Sequence, residues 1–392
     1  MTIMTIRKLE PDEYYDADMI SRTCFHERFH GDEAQDHEKP REAREDWGAF
    51  DGDGMMAAHI INNHFRANLN GSIVTMGGIG AVSTLPEYRG SGSIRQIFDR
   101  LLPEAYARGE VISGLYPFKH AFYRKFGYET VAPCTSYTLK PASLREFLPV
   151  GEIKQYTAGQ DAKEYIDAHN RFAREYNLSI IRNEKEMRCF LCDRALAERK
   201  FSYMLCYSGK DPSYLCFTDQ FAEPAARLAV NDIAWNEPLQ LHSLLGFLGR
   251  FEADYGLIEL NLPTDINLKL LIPDPYEISE AKLMDNYMLR VINVEEALKT
   301  LCSEVRESFT IAVYGDKQIL QNNGAWRVNA EGVAFCSGMP DLEVSLHAFN
   351  QLICGAMSFS QALYRSDVRV NANAVTLAEI FKSRPIFITD RF

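Results

Sequence analysis

The residues from Ile79 to Leu102 combine a strand, a glycine-bearing loop and a helix start, an arrangement that can hold an anion. Small and β-branched residues run from Ile79 to Leu85, and Pro86 ends the strand because it has no N–H to donate. Beyond the loop, apolar residues recur at the spacing of one buried helix face: Ile94, Ile97, Phe98, Leu101 and Leu102. The loop is therefore expected to open a helix.

The loop from Glu87 to Ser93 carries Arg89, Gly90 and Gly92. A helix N-terminus offers unpaired N–H groups and the positive end of the helix dipole, and glycine lets a phosphate approach the backbone. Arg89 adds a mobile cation. A pyrophosphate site and a plain tight turn both fit these residues. The loop is not a P-loop and lacks the strand–helix–acid context of a dinucleotide fold, which disfavours ATP and NAD.

In this order the residues resemble the GCN5-related N-acetyltransferases (GNAT), whose cofactor loop reads Arg/Gln-x-x-Gly-x-Gly/Ala after a strand that splays from its neighbour. Arg89, Gly92 and Ile94 take its three positions, although Ile94 departs from the small third residue. One strand and one short helix downstream, Ala121 to Tyr128 resembles the family's FYxxxGF segment. The residues of both motifs and the length of the chain are similar to those of the Eis-like branch, the enhanced-intracellular-survival acetyltransferases.

The resemblance implies an α/β (α+β) protein with tandem GNAT folds and a C-terminal α+β domain like sterol carrier protein. Residues 1–140 are expected to form the GNAT domain that binds acetyl-CoA. Residues 151–285 are expected to form a degenerate GNAT-like domain. Residues 286–392, with about 141–150, are expected to form the sterol-carrier-like domain, which supplies the C-terminus to the active site.

The residues themselves indicate an internal repeat. The order strand, helix, strand from Ala226 to Pro263 repeats the order from Ile79 to Pro117. Where the first copy has its glycine loop, the second has an acid and a proline, Glu237 and Pro238. An acid at a helix start repels phosphate, so the second copy is not expected to bind the cofactor.

Roles for single residues also come from the resemblance. Tyr123 is implied as the acid that protonates the departing thiolate, and the α-carboxylate of Phe392 as the base. Arg391 departs from the acid that the best-known members carry before their last residue. Glu27 and Trp47 are expected beside the substrate. The residues expected to bind acetyl-CoA are Val82, Ser83, Thr84, Arg89, Gly90, Ser91, Gly92, Ser93 and Ile94.

Composition narrows the class of partner. The chain has 392 residues, a mass of 44.6 kDa and a formal net charge of −12, so nucleic acid and anionic membranes are unexpected partners. Residues 1–54 hold 15 acids and 7 bases, giving 7 − 15 = −8. This excess fits a solvated helix face, and it also fits an acidic rim that concentrates cationic amines.

The N-terminal residues and the lack of a long apolar run predict the compartment of the protein, and the cysteines predict its redox state and metal content. No apolar signal core follows Met1, and no apolar run reaches 18 residues, so a cytoplasmic protein is expected. The nine cysteines are expected to be reduced thiols. Cys189 and Cys192 form the only close pair and lack further ligands at zinc spacing, so no metal is expected.

The sequence thus predicts an acetyl-CoA-dependent N-acetyltransferase that acts on a primary amine of a small cationic molecule, such as an aminoglycoside or polyamine, by direct transfer in a ternary complex. Acetylation of a protein lysine or N-terminus is one alternative. A lipid- or ligand-binding protein that uses the sterol-carrier-like domain is another. The resemblance further implies a homo-oligomer, a hexamer.

Overall fold

The structure is a computed structural model that describes residues 4–26, 43–131, 134–220 and 226–392. Its strands are β1 (Thr5–Lys8), β2 (Arg44–Phe50), β3 (Met56–Leu69), β4 (Ser72–Thr84), β5 (Ile112–Leu115), β6 (Glu129–Val131), β7 (Thr135–Leu139), β8 (Glu152–Gln155), β9 (Lys200–Tyr207), β10 (Lys210–Gln220), β11 (Arg227–Ala234), β12 (Leu257–Leu262), β13 (Ile278–Leu283), β14 (Tyr287–Val291), β15 (Phe309–Tyr314), β16 (Gly324–Asn329), β17 (Gly332–Cys336), β18 (Leu342–Ser345) and β19 (Val368–Val370). Its α-helices are α1 (Tyr14–Phe25), α2 (Ser93–Ala107), α3 (His120–Tyr123), α4 (Lys163–Ala173), α5 (Glu184–Arg188), α6 (Ala195–Glu198), α7 (Pro238–Gly249), α8 (Val294–Lys299), α9 (Leu346–Ile353), α10 (Phe359–Ala362) and α11 (Ala374–Ile380).

The first sheet has the strand order β1-β2-β3-β4-β5-β14-β6. Helix α2 packs on one face through the apolar stripe that its sequence predicts, and its buried residues join Ile60 and Ile79 in one core cluster. Helix α1 contacts β3 and β4 through Ser21, which bonds His59 and Ser83. Because successive strand residues point to opposite faces, His59 and Ile60 place α1 and α2 on opposite sides of the sheet.

Two strands lie in sheets that local sequence does not predict. The alternation of residues from Thr130 to Leu139 predicts a single strand that closes the first domain, and this prediction is wrong. The strand ends at Val131 in the first sheet, and β7 pairs instead with β12 and β13 in the second sheet. In turn β14, expected at the start of a separate domain, pairs with β5 and β6 in the first sheet. Both pairings join residues far apart in the chain.

The second sheet has the order β13-β7-β12-β11-β10-β9-β8. Strands β11 and β12 are parallel and α7 connects them, which matches the expected repeat of β4, α2 and β5. Helix α7 is apolar on most sides and is buried accordingly. Its start is capped by its own residues, since Gln240 accepts bonds from the N–H groups of Asn236 and Glu237.

A buried polar network lies in the second sheet's core. Arg182 forms ion pairs with Asp232 at 2.5 Å and with Asp390 at 2.8 Å. Tyr214 donates to Asp232 at 2.6 Å, and His169 Nδ1 lies 3.0 Å from the Tyr214 hydroxyl. The desolvation cost of burying these charges is offset because each charged group has ion-pair or hydrogen-bond partners. The network fixes the chain at Asp390, two residues before its end.

The third sheet has the order β17-β16-β15-β18-β19, and α9 packs on β15 and β18. By compactness the chain forms two units. The first contains the described residues of 1–131, 286–383 and 391–392, and the second those of 132–285 and 384–390. Residues 141–150 lie in the second unit. Whether 286–392 forms a domain of its own stays a prediction, because compactness does not test whether it folds alone.

Candidate active site

Strand β4 is bulged next to the predicted loop. Ile61 pairs with Gly80 and His59 with Ser83, so β4 carries one more residue than β3 in this stretch. Within it Ala81 has φ of 49°, in the left-handed region that residues with a Cβ seldom adopt. A bulge bends its strand and redirects the neighbouring side chains, and such bulges are common beside active sites.

Strands β4 and β5 separate after Ile79, just before the bulge. Their parallel pairing covers only Met76 to Ile79 on β4, although β4 continues to Thr84. Past Ile79, β4 pairs with β3 on one edge, and no strand of the described chain pairs with the other edge. An extended ligand can add backbone hydrogen bonds to such an edge. The sequence resemblance implied this splay.

A cavity of about 810 Å³ opens at the splay. Four phenylalanines, Phe25, Phe118, Phe122 and Phe126, supply apolar surface, and the remaining lining is from α1, β4, the loop, α2 and Lys125. The residues that line it are Cys24, Phe25, Val82, Ser83, Thr84, Arg89, Gly90, Gly92, Ser93, Ile94, Arg95, Phe118, Phe122, Lys125 and Phe126. Eight of the nine residues predicted to bind the cofactor are therefore together. The ninth, Ser91, accepts a bond from the Ser93 N–H at 3.3 Å.

The cavity has the charge that a pyrophosphate requires. Arg89, Arg95 and Lys125 line it, and none of them forms an ion pair within the part of the chain that the structure describes. Helix α2 begins at Ser93, and Gly92 before it has φ of 88°, a conformation that favours glycine. Free cations and a helix N-terminus fit a phosphate group.

Tyr123 lies in the core beside the cavity. It is 2% exposed, and its ring contacts the rings of Phe118 and Phe122 at 5.4 and 5.2 Å between centroids. Tyr123 is not among the residues that line the cavity, although its ring neighbours Phe118 and Phe122 are. Burial raises the pKa of Tyr123 above its ordinary value, and Tyr128 adds to the shift. The phenol holds its proton more firmly than an exposed tyrosine does.

Arg290 of β14 holds the turn that follows Tyr123, and the sequence analysis missed it. Its guanidinium donates to the carbonyl of Phe126 and forms two bonds to Asp316, at 2.8 and 2.9 Å. Both side chains of this ion pair are 0% exposed. A Cβ at Gly127 would collide with Arg290. A lone arginine inside an apolar strand is the signal that could have identified this residue.

The C-terminal residue lies against β4. The ring of Phe392 packs on Phe65 and Tyr116, with centroids 5.1 and 5.7 Å apart. A Cβ at Gly78 would lie 2.9 Å from this ring, and a Cβ at Gly80 would lie 3.0 Å from the carboxylate carbon of Phe392. The two glycines therefore leave the space that the end of the chain occupies, next to the bulge.

The other predicted residues lie elsewhere. Trp47 is 1% exposed in the core of the first sheet, where Lys8 lies over its ring, and it does not line the cavity. Glu27 lies outside the described residues. In the second copy, Glu237 at the start of α7 forms an ion pair with Lys210, so its own chain neutralises that helix start.

The ranges that the structure describes hold neither a metal-binding cluster nor a membrane-spanning helix. These ranges contain no group of three or more His, Cys, Asp or Glu side chains that could hold a metal ion. No disulfide joins any of the nine cysteines, all of which are described. Within the same ranges, no helix is both long and apolar enough to cross a lipid bilayer.

Comparison with known proteins gives one family and a common fold. Residues 5–131 match the acetyltransferase (GNAT) domain family. Three solved structures match over 100% of both chains: a probable N-acyltransferase from Enterococcus faecalis (20% identity, TM-score 0.84), a GCN5-related N-acetyltransferase from Anabaena variabilis (20%, 0.86) and Eis1 from Mycobacterium abscessus (21%, 0.80). At these identities the likeness shows the fold, which confirms the predicted α+β class. No curated protein matches the chain.

Proposed function

We propose that the protein transfers the acetyl group of acetyl-CoA to a primary amine of a small cationic molecule, within one ternary complex; the match of residues 5–131 to the acetyltransferase (GNAT) domain family supports this proposal. The observation that carries the proposal is the contact between the Phe392 carboxylate carbon and Gly80. This position, beside the bulge and splay of β4, supports the proposal that the α-carboxylate accepts the amine proton. A frayed terminus would have no reason to occupy that position.

The cofactor side of the proposal rests on the loop and the splay. Arg89, Arg95 and Lys125, with the N-terminus of α2, would hold the pyrophosphate. The unpaired edge of β4 from Val82 to Thr84 would bind the pantetheine arm as an added strand. When bound, acetyl-CoA supplies the activated acetyl thioester.

The chain's own residues then handle the protons. The Phe392 α-carboxylate accepts the proton that the amine loses, because an α-carboxylate is ionised at neutral pH. The Tyr123 hydroxyl donates to the sulfur of the departing thiolate. Since burial raises the pKa of Tyr123, the phenol carries its proton at neutral pH and can donate it to the thiolate.

The amine class follows from charge. Residues 1–54 carry a net −8, and this segment contains α1, which borders the cavity through Cys24 and Phe25. Acidic surroundings raise the local concentration of cationic amines. Polyamines and aminoglycosides present primary amines next to further positive charges, so a segment of net negative charge attracts them more strongly than it attracts neutral amines.

A binding and turnover experiment tests the proposal. Titration calorimetry should detect acetyl-CoA binding, and release of free CoA thiol should then be followed with polyamines, aminoglycosides and lysine peptides as acceptors. We expect turnover with a small cationic amine. Turnover with lysine peptides alone would favour a protein acetyltransferase. Failure to bind acetyl-CoA would overturn the proposal altogether.

A further inference from the structure

A chain of hydrogen bonds runs from the cavity into the first sheet. Ser83, which lines the cavity, has its Oγ 3.4 Å from the Oγ of Ser21 on α1. Ser21 Oγ lies 3.1 Å from Nδ1 of His59, and Nε2 of His59 lies 3.0 Å from Oδ1 of Asp46. His59 is 0% exposed and Asp46 is 4% exposed, so bulk water does not reach the inner end of the chain directly.

The chemistry of Asp46 sets the direction of these bonds. Arg44 donates two bonds to the Asp46 carboxylate, at 2.9 and 3.0 Å. An ionised carboxylate can only accept, so Nε2 of His59 carries a proton and donates it to Asp46. Nδ1 of His59 is then an acceptor and receives the Ser21 hydroxyl. We assign this tautomer of His59 from its hydrogen-bond partners.

The remaining bond has the same direction. With its proton given to His59, Ser21 offers its oxygen to the hydroxyl of Ser83. Every donor therefore points inward, away from the cavity. Ser83 lines the cavity and is 3% exposed, and its oxygen has lone pairs left to accept from a donor there, such as a protonated amine.

Ser83, the outer end of these hydrogen bonds, lies near Phe392, the last residue of the polypeptide. Gly80 and Ser83 flank the bulge of β4, and they pair with Ile61 and His59 on β3. Those partners are two residues apart, which corresponds to about 7 Å along a strand. The Phe392 carboxylate lies at Gly80, so an amine at the bulge would lie between that carboxylate and the Ser83 hydroxyl.

We infer that Ser83, Ser21, His59 and Asp46 form a second proton acceptor of this site, a relay that serves the amine substrate. The inference rests on the proposed transfer of an acetyl group to an amine. The ammonium N–H bond breaks and its proton joins Ser83 Oγ, Ser83 passes its own proton to Ser21, and Ser21 passes its own to His59 Nδ1. The products of this step are a neutral amine and an imidazolium beside the Asp46 carboxylate. After acetyl transfer the proton returns along the same atoms to the cavity and to water.

Ser83 is the member that touches the substrate. His59 acts through Ser21 and is a positioning residue. The groups that face His59 are few: the Asp46 carboxylate, itself paired with Arg44, from β2, and the hydroxyls of Ser21 from α1 and Ser83 from β4. Within the described ranges no other acid or base bonds to its ring.

The test compares Ser21→Ala, His59→Gln and the double variant across pH 6 to 10. Each removes the relay and leaves Phe392 in place. We expect kcat/KM near pH 7 to fall by about 10- to 100-fold, with the deficit shrinking toward pH 10 as the amine loses its own proton in water. The double variant should lose no more than His59→Gln alone, because the residues act as one unit. Acetyl-CoA affinity should be unchanged.

A buried histidine outside the relay supplies the control. His169→Gln, in the second unit, should leave the pH profile of kcat/KM as in the wild type. If His59→Gln does not fold, Ser21→Ala decides, since Ser21 is only half-buried on α1.

Three results would overturn the relay. The first is an unchanged pH profile in Ser21→Ala and His59→Gln. The second is a loss of turnover that is equal at every pH, and the third is a loss that accompanies weaker acetyl-CoA binding; both would show a structural role. A wild-type protein that binds acetyl-CoA and acetylates no amine would instead overturn the proposed function, and the relay with it.

Discussion

The carboxylate carbon of Phe392 lies 3.0 Å from the position that a Cβ on Gly80 would occupy. The last residue of the chain thus contacts the strand that carries the cofactor loop. The Phe392 ring likewise leaves no room for a side chain at Gly78, because a Cβ there would lie 2.9 Å from two atoms of the ring. Any side chain at either position would compete with the chain end for space.

A methyl group at Gly80 should therefore displace the carboxylate. We expect Gly80→Ala to lower kcat by at least about 10-fold, because a shift of about 1 Å at a reacting group is costly, while acetyl-CoA affinity changes little. Gly52→Ala is the matched control, since a Cβ there meets nothing within 4 Å. Equal kcat in the two variants would mean that the position of Phe392 is unimportant for turnover.

The chemical nature of the chain end can be tested separately. A C-terminal tag converts the carboxylate into a neutral amide, and deletion of Phe392 shortens the reach by up to about 3.5 Å. Both should lower kcat by about 10²- to 10⁴-fold, the usual worth of an acid–base group, with thermal unfolding and acetyl-CoA binding nearly unchanged. An N-terminal tag serves as the control. If proteins tagged at either end turn over equally, the base must be sought elsewhere.

The loop should control cofactor affinity. Gly92 has φ of 88°, so Gly92→Ala strains the start of α2, and Arg89→Ala removes a charge-assisted bond worth about 1.5 to 3 kcal/mol. We expect acetyl-CoA Kd to rise by about 10-fold or more in each variant. Gly159→Ala imposes a comparable strain in the second unit, where φ is 77°, and should leave Kd unchanged. Calorimetric titration distinguishes a loop effect from general destabilisation.

The buried network of the second unit should make stability depend on acid. Burial lowers the pKa of His169 to about 4, and the Arg182 charge adds to this. The unfolded chain therefore binds a proton at His169 below about pH 6.5, whereas the native protein does not do so until about pH 4. Stability is complete above this window and falls by about 3 kcal/mol as pH decreases through it.

Asp232 extends the same trend to lower pH. Burial opposes its ionisation, but Arg182 and further donors outweigh burial and lower the pKa of Asp232 to about 2. Its contribution is present above about pH 4 and is lost as pH falls toward 2. Urea midpoints measured from pH 7 to pH 3 should decrease throughout. In His169→Gln the slope between pH 6.5 and 4 should be smaller, and an unchanged slope would assign the acid sensitivity to other groups.

The sequence predicted local elements well. The strand before Pro86, the loop and the apolar face of α2 rest on hydrophobic spacing and on glycine and proline, which act within a few residues of each other. The structure brings eight of nine predicted cofactor residues to one cavity for the same reason. Trp47 was expected beside the substrate because of the resemblance alone, and it lies in the core instead of the cavity.

Local sequence patterns could not predict which strands and side chains pair across long distances in the sequence. Nothing near Tyr287 indicates that β14 joins the first sheet, because the pairing free energy comes from β5 and β6, far upstream. Arg290 and His59 were missed for a related reason. A polar residue in an apolar run can be a sheet edge, a buried ion pair or a relay, and only the partners, here Asp316 and Ser21, distinguish these cases.

Tyr123 and Tyr128 offer a matched pair in one turn. Tyr123→Phe keeps the ring contacts and removes only the hydroxyl that is proposed to donate to the thiolate, so we expect kcat to fall by about 10²- to 10⁴-fold with acetyl-CoA still bound. Tyr128→Phe removes a hydroxyl that is bonded to Ser113 at 2.8 Å, so it should lower stability by about 1 kcal/mol and change kcat little.

Because burial raises the pKa of Tyr123, its proton is retained through the assay range, and kcat should show no alkaline fall from this group below about pH 10. Steady-state kinetics of both variants from pH 6 to pH 10 provide the measurement, and a loss below about threefold in Tyr123→Phe would assign this tyrosine to packing.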